Sequence, residues 1–250
     1  MVLQWKLAIP QLTGTKKRRA YIYLPDSYKK NPDRRYPVMY MFDGHNVFFD
    51  SHATYGKSWG MNTYMRRSKK QMIIVAVECN HEGNGRLEEY SPMSHSESSL
   101  GKIRGRGKTY MEWLVHTLKP FIDANYRTLS DRSHTLICGS SMGGLMALYA
   151  VSAYNHVFQR AACLSPSLWV SDKVMDMVKR AKIQPDTCIY MDYGSEELVN
   201  HDASYEALKS MCQLLLDKKV DLTFRIVPGG THCEASWERQ IPIFMECLNV

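Results

Sequence analysis

The chain has 250 residues, 44% hydrophobic and 23% charged, an ordinary composition for a globular protein and enough length for one large α/β unit. Lys and Arg outnumber Asp and Glu by 32 to 25, but the excess of +7 lies in short runs (Lys16–Arg19, Arg66-Arg67, Lys69-Lys70) that flank strands and turns, so no nucleic-acid footprint is expected. No apolar run approaches a membrane span, and seven cysteines without a Cys-x-x-Cys predict reduced thiols and a cytoplasmic setting rather than a disulfide framework.

In chain order, Leu3–Ile9 and Arg19–Leu24 alternate as strands do and predict an opening antiparallel pair. Asp26–Arg35, flanked and interrupted by Pro25 and Pro32, predicts a surface loop. Tyr36–Phe42 and Met72–Val77 are continuous apolar runs, the pattern of strands covered on both faces. Residues 80–108 show no periodicity and predict a long functional loop. Tyr110–Tyr126 has helical spacing with a kink at Pro120. Beyond it, strands at 135–138, Ala161–Leu164, Thr187–Tyr193 and Leu222–Val227 alternate with helices at 142–154, Asp172–Ala181, Ala203–Leu216 and Trp237–Leu248. That alternation predicts a mostly parallel twisted sheet with antiparallel first strands and helices on both faces. We find no repeat, linker or second domain, and expect residues 1–250 to form one unit. The amino terminus lacks the charged head and long apolar core of a signal peptide.

Residues 135–144, Thr-Leu-Ile-Cys-Gly-Ser-Ser-Met-Gly-Gly, run an apolar strand through Gly-x-Ser-x-Gly into a helix. This is the nucleophile elbow of an α/β-hydrolase, with Ser141 at the crowded tip and Gly139 and Gly143 keeping bulk away from it. A serine hydroxyl needs a base to take its proton. In this fold the partners follow in the order serine, acid, histidine, each on a loop after a later strand. Only His201 and His232 lie beyond residue 156, and His232 follows the strand Leu222–Val227 through Gly229-Gly230. We therefore take His232 as the base, with His201 the weaker candidate. Asp192, Glu196, Glu197 and Asp202 compete as the acid that orients the imidazole; Glu197, three residues past Gly194, is preferred, with Glu196 next. The expected oxyanion donors are the backbone N–H of Met142 and of His45, in Asp43-Gly44-His45-Asn46, with Gly44 as alternative. The side chains of His45 and Asn46 are expected within reach of substrate.

Taken together, these segments resemble the esterase-D-like, carbohydrate-esterase-family-1-like branch of the α/β-hydrolases, which includes feruloyl, acetyl-xylan and enterochelin esterases and the mycolyltransferases. The matching text is Tyr36–Asp50, Ser58-Trp59-Gly60, Arg86 with Glu89–Pro92, the elbow, Gly194–Leu198, and Gly229–His232 with Trp237. The resemblance implies a serine carboxylesterase for small acyl or phenolic esters, with a covalent acyl-enzyme, no cofactor and no metal. It implies the triad Ser141, Glu197 and His232, His45 as first oxyanion donor, and Trp59 and the Arg86–Pro92 loop near the substrate. Family members often carry Asp where Glu197 stands. Siderophore-lactone hydrolysis, formylglutathione-type thioester hydrolysis and acyl transfer are alternatives on the same triad; a silent hydrolase fold that only binds a ligand is the alternative outside enzymes. The expected partner is a small-molecule or oligosaccharide ester, with no nucleic acid and no membrane.

Two rival chemistries fail. Gly107-Lys108-Thr109 imitates the end of a phosphate loop, but position 102, which should be glycine, is Lys, and no strand precedes it. No His/Cys cluster shows zinc spacing along the chain.

Overall fold

A computed structural model of the chain describes residues 1–97, 101–198 and 202–249. Its strands are β1 (Val2–Ala8), β2 (Lys17–Tyr23), β3 (Val38–Met41), β4 (Ile73–Val77), β5 (His95–Glu97), β6 (Gly101–Ile103), β7 (Thr135–Ser140), β8 (Arg160–Leu164), β9 (Cys188–Gly194) and β10 (Asp221–Val227). Eight of them form one sheet in the order β1-β2-β4-β3-β7-β8-β9-β10, and β5 and β6 pair separately. β2 is antiparallel to β1 and β4, and every other pairing in the large sheet is parallel.

The apolar runs occupy the middle of this sheet because both of its faces are covered. Along β3, Val38 and Tyr40 point to one core while Met39 and Met41 point to the other. In β4 the same period of two sends Ile73, Val75 and Val77 one way and Ile74 and Ala76 the other. The first face is packed by helices within 107–125, 142–153, 173–180 and 202–217. The second is packed by Met61–Ser68 and by the closing segment, through Trp237, Ile241, Phe244 and Met245. The helix Met142–Ala153 is buried along nearly its whole length, which accounts for its unbroken apolar sequence.

Four segments depart from expectation, the first being Asp26–Arg35, where the expected loop includes the helical turn Ser27–Lys30. Residues 80–108 are not a bare loop: they contain the helix Gly85–Glu89 and the β5–β6 pair, both too short to leave a periodic signature. The kink expected at Pro120 is a π-helical turn at Leu114–Leu118, between helical turns Gly107–Trp113 and Lys119–Asn125. Pro120 has no N–H for the carbonyl of His116, so the ladder widens just before it. The closing helix is two, Glu234–Glu238 and Ile241–Cys247, because Pro242 belongs in a first turn and starts the second. All seven cysteines are free thiols. Among the described residues no helix is long and apolar enough to cross a membrane.

From β3 the chain steps to β4 on one side and later returns to β7 on the other, so β3 and β7 are neighbours where the strand order reverses. Such a switch point opens a crevice beyond the carboxyl ends of the strands. The loops leaving β3, β7, β8, β9 and β10 therefore share one edge, and the site is built there.

Candidate active site

Ser141 stands between β7 and the helix Met142–Ala153 with φ 57° and ψ −123°, a conformation that L-residues avoid. The bend is tight enough that a Cβ on Gly139 would lie 2.5 Å from the Gly143 backbone, and one on Gly144 would lie 2.7 Å from the Leu164 carbonyl. The glycines inferred from the motif are thus required by contact. Asp43 after β3 and Ser165 after β8 also have positive φ, 54° and 41°. Of the six non-glycine residues with positive φ among the described residues, three cap adjacent strands at this edge, and such strain clusters at functional sites. The Ser141 hydroxyl stands 3.4 Å from that of Ser167.

His232 sits on the loop after β10, and Glu197 ends the short helical turn Ser195–Glu197 after β9. The two loops are tied by Glu196 N–H to the Gly230 carbonyl (3.0 Å) and Gly229 N–H to Ser195 Oγ (2.9 Å). Glu197 Oε2 lies 2.5 Å from His232 Nδ1. A carboxylate only accepts, so Nδ1 carries the proton and Nε2 keeps its lone pair. The other oxygen, Oε1, accepts from Ser165 Oγ (2.7 Å) and from the Gly194 N–H (2.9 Å). Burial raises the Glu197 pKa, but the bonds from His232, Ser165 and Gly194 outweigh it and hold the carboxyl below its ordinary value. Trp237 Nε1 donates to Ser165 Oγ (3.0 Å), and its ring meets His232 edge-on at 5.1 Å.

Among the competing carboxylates that the structure describes, Glu197 alone reaches the imidazole. Glu196 is exposed and accepts from Ser195 Oγ at 3.2 Å. Asp192, held inside β9, accepts from Tyr190 Oη at 2.7 Å, and burial pushes its pKa up to about 7. His201 and the side chain of Asp202 lie outside the described residues.

Ser141 and His232 both face a cavity of about 610 Å³, whose walls also include His45, Asn46, Arg86, Glu234 and Trp237. His232 separates it from a second cavity of about 590 Å³ that holds Trp169, 56% exposed. The N–H of Met142 begins a helix and has no intrahelical acceptor, and neither it nor the His45 N–H is bonded to another backbone group among the described residues. The His45 ring is buried, and desolvation lowers its pKa to about 4 against the pull of Asp43, which keeps it neutral.

Of the residues expected at the substrate wall, Asn46 and Arg86 line the cavity and Trp59 lies behind it. Trp59 is 3% exposed and packs on Trp237 and Phe244, so it belongs to the core beneath the site rather than to the cavity. Arg86 reaches the cavity wall, but its guanidinium is committed to Asp43 through two bonds of 2.8 Å and lies over the Tyr90 ring. That ion pair braces the left-handed turn that presents His45. Asn46 does line the cavity, donating to Glu234 Oε1 at 3.0 Å and accepting from the Thr54 N–H. Asp43, Ser165, Ser167 and Glu234 are the residues that reading the sequence missed. Only the positions of Asp43 and Ser165, just past apolar strands, hinted at them.

The sheet order and the strained serine turn at the switch point define an α/β-hydrolase. Residues 13–243 match the family model described as "Putative esterase", and the chain belongs to that esterase family. It is 24% identical to the uncharacterized protein YbbA of Bacillus subtilis over 183 residues, covering 72% of this chain and 69% of that one. It is 30% identical to the esterase Rv1288 of Mycobacterium tuberculosis over 148 residues, 58% of this chain but only 28% of that longer protein. Among solved structures, a ferulic acid esterase shares the fold with a TM-score of 0.72 at 20% identity, over 99% of this chain and 98% of that one. The enterobactin and salmochelin hydrolase IroE does so with a TM-score of 0.67 at 20% identity, over 100% and 95%.

Proposed function

We propose that the protein is a serine carboxylesterase whose triad is Ser141, His232 and Glu197. The observation that carries this reading is the buried Glu197 carboxylate on His232 Nδ1, which leaves Nε2 basic in the same cavity as the strained serine.

The chemistry follows from those atoms. Ser141 Oγ attacks the ester carbonyl while His232 Nε2 takes its proton. The Glu197 carboxylate stabilises the imidazolium that forms. The carbonyl oxygen gains the negative charge and is held by the backbone N–H groups of His45 and Met142, the latter at the positive end of its helix. As the intermediate collapses, the alkoxide leaves with the proton from Nε2, and the acyl group stays on Ser141. Water then attacks the acyl-enzyme and gives its proton to Nε2; as the second intermediate collapses, Nε2 returns that proton to Ser141 Oγ and the acid is released. The Asp43–Arg86 pair holds the His45 turn in place through this cycle.

The substrates are small acyl or phenolic esters. The exposed face of Trp169, across the imidazole from the first cavity, suits an aromatic acyl or alcohol group. Siderophore-lactone hydrolysis is the second reading, favoured by the shared fold with the enterobactin and salmochelin hydrolase. Residues 1–250 act as one unit in either case.

A fluorophosphonate probe tests the nucleophile. It should label the wild type once per chain, at Ser141, and leave Ser141→Ala unlabelled. Turnover of p-nitrophenyl acetate should fall by about 10⁶ in that variant. Labelling of another serine would overturn the assignment. Methyl ferulate, acetylated xylo-oligosaccharide, a glutathione thioester and a catechol-siderophore lactone, assayed side by side by kcat/KM, separate the substrate readings.

A further inference from the structure

The esterase reading uses the main chain of His45 and leaves its ring without a role. Ring atom Nδ1 is buried and has no hydrogen-bond partner among the described residues, although His45 is only 4% exposed. Buried polar atoms are almost always bonded, so an orphan of this kind asks for a missing partner. What lies beside it is a set of further donors. The His81 ring meets the His45 ring edge-on at 4.5 Å, and Cys79 Sγ is 4.0 Å from His81 Nδ1. One potential ligand atom from each of His45, Cys79 and His81 lies within 4.8 Å of the others.

The fold explains the grouping. β3 and β4 are parallel neighbours, so the loops that leave their carboxyl ends emerge side by side. His45 comes from the first loop; Cys79 and His81 come from the second. A separation of more than thirty positions hides the set from any reading of linear spacing. All three residues also line the 610 Å³ cavity, so a ligand could enter from there.

We propose that His45, Cys79 and His81 form a binding site for a cation of the Zn²⁺ class, with its fourth position open to the catalytic cavity. Two imidazoles and one thiolate are ligands that borderline-soft metals prefer over Mg²⁺ or Ca²⁺. On binding, a metal–sulfur bond forms, the Cys79 thiol releases its proton to solvent, and nothing is oxidised. Bonds of about 2.0 Å to nitrogen and about 2.3 Å to sulfur place ligand atoms at most about 4.3 Å apart, so the site must contract slightly. His81, exposed on its loop, can make that movement. The cation would sit against the turn that presents the His45 amide, so occupancy would disturb the oxyanion donor and slow turnover. That last consequence rests on the esterase reading; binding itself does not.

The test reads binding and not activity. Purified, chelator-treated and reduced protein is titrated with Co²⁺, then with Zn²⁺ as competitor. The wild type should take up one Co²⁺ per chain with a thiolate-to-cobalt charge-transfer band, and Zn²⁺ should displace it. Cys79→Ser should abolish the band, and His81→Ala should weaken affinity by at least about tenfold. Removing the exposed His81 leaves the core untouched, which keeps the test valid should the buried Cys79→Ser variant fold poorly. Cys233→Ser, at the other thiol on the cavity wall, should retain the band. No band at stoichiometric Co²⁺, a band that survives in folded Cys79→Ser, unchanged affinity in His81→Ala, or loss of the band in Cys233→Ser would each overturn the proposal.

Discussion

Replacing Glu197 by Gln should cripple the enzyme through a proton, not through a lost contact. The oxygen Oε1 receives two donors, Ser165 Oγ at 2.7 Å and the Gly194 N–H at 2.9 Å. The serine hydroxyl is itself pinned, since it accepts from Trp237 Nε1 at 3.0 Å. A glutamine amide therefore keeps its oxygen at the Oε1 position and turns its NH₂ group toward His232 Nδ1. Two donors cannot face each other, so the imidazole must move its proton to Nε2, where it can no longer accept one from Ser141. The charge that would stabilise the imidazolium is lost as well. A wrong tautomer in such a triad lowers kcat by about 10⁴, and at 1.36 kcal/mol per decade that is about 5.4 kcal/mol of barrier. Glu196→Gln is the matched control: its side chain is exposed and, among the described residues, bonded only to Ser195 Oγ, so it should change kcat by no more than about twofold. The assay is the steady-state kcat on p-nitrophenyl acetate for both variants, with folding checked by circular dichroism. A larger loss in Glu196→Gln, or a Glu197→Gln variant within tenfold of wild type, would refute the reasoning.

The strain at Ser141 predicts that Ser141→Gly, inactive like Ser141→Ala, is the more stable of the two by about 1 kcal/mol. Glycine accepts φ 57° freely, and the gain is partly offset by its looser unfolded chain. At this chain length that is a rise of roughly 2–4 °C in Tm by calorimetry, and an equal or lower Tm for the glycine variant contradicts the strain. Asp192 has a folded pKa raised by burial to about 7, so between about pH 4 and 7 the native state holds a proton that the unfolded state has lost. Its contribution to stability therefore falls as pH rises through that window. Asp192→Asn should flatten the decline, gaining most at pH 8 and least at pH 5, as read by urea melts at each pH; a parallel shift at both would contradict this. Arg86→Leu strands the buried Asp43 carboxylate, and should cost about 3 kcal/mol of stability and about 10²-fold in kcat as the His45 turn relaxes. Intact kcat in that variant would separate the ion pair from the oxyanion donor.

How far the sequence could be read depended on how local each signal was. The elbow is one contiguous run, and its glycines meet one another within five residues, so Ser141 was legible. The double-sided strands were legible because an apolar run has no polar face to hide. His232 is singled out by chain order together with its place on the loop after the strand Leu222–Val227. Between Glu196 and Glu197 the sequence offers two adjacent side chains of the same chemistry. The choice turns on the path of one short helical turn, which composition does not encode. Asp43, Ser165 and Ser167 share this edge with Ser141 because β3, β7 and β8 lie side by side, a fact of strand order that no linear pattern carries. The burial of Trp59 was not legible for the converse reason: it precedes the helix Met61–Ser68, and tertiary packing turns its ring inward onto Trp237.

Trp237 has a consequence of its own. Its indole makes an edge-type contact with the imidazole of His232, its N–H is anchored to Ser165, and its ring packs on Trp59. A protonated imidazole quenches a neighbouring indole, whereas a neutral one does so far less. Among the described residues, this is the one tryptophan of the five with a ring contact to His232, so under the esterase reading its emission gauges the charge on that imidazole. Stopped-flow emission should dim while the imidazolium of each tetrahedral intermediate lasts and recover in the acyl-enzyme, whose imidazole has given its proton to the leaving group, without any added dye.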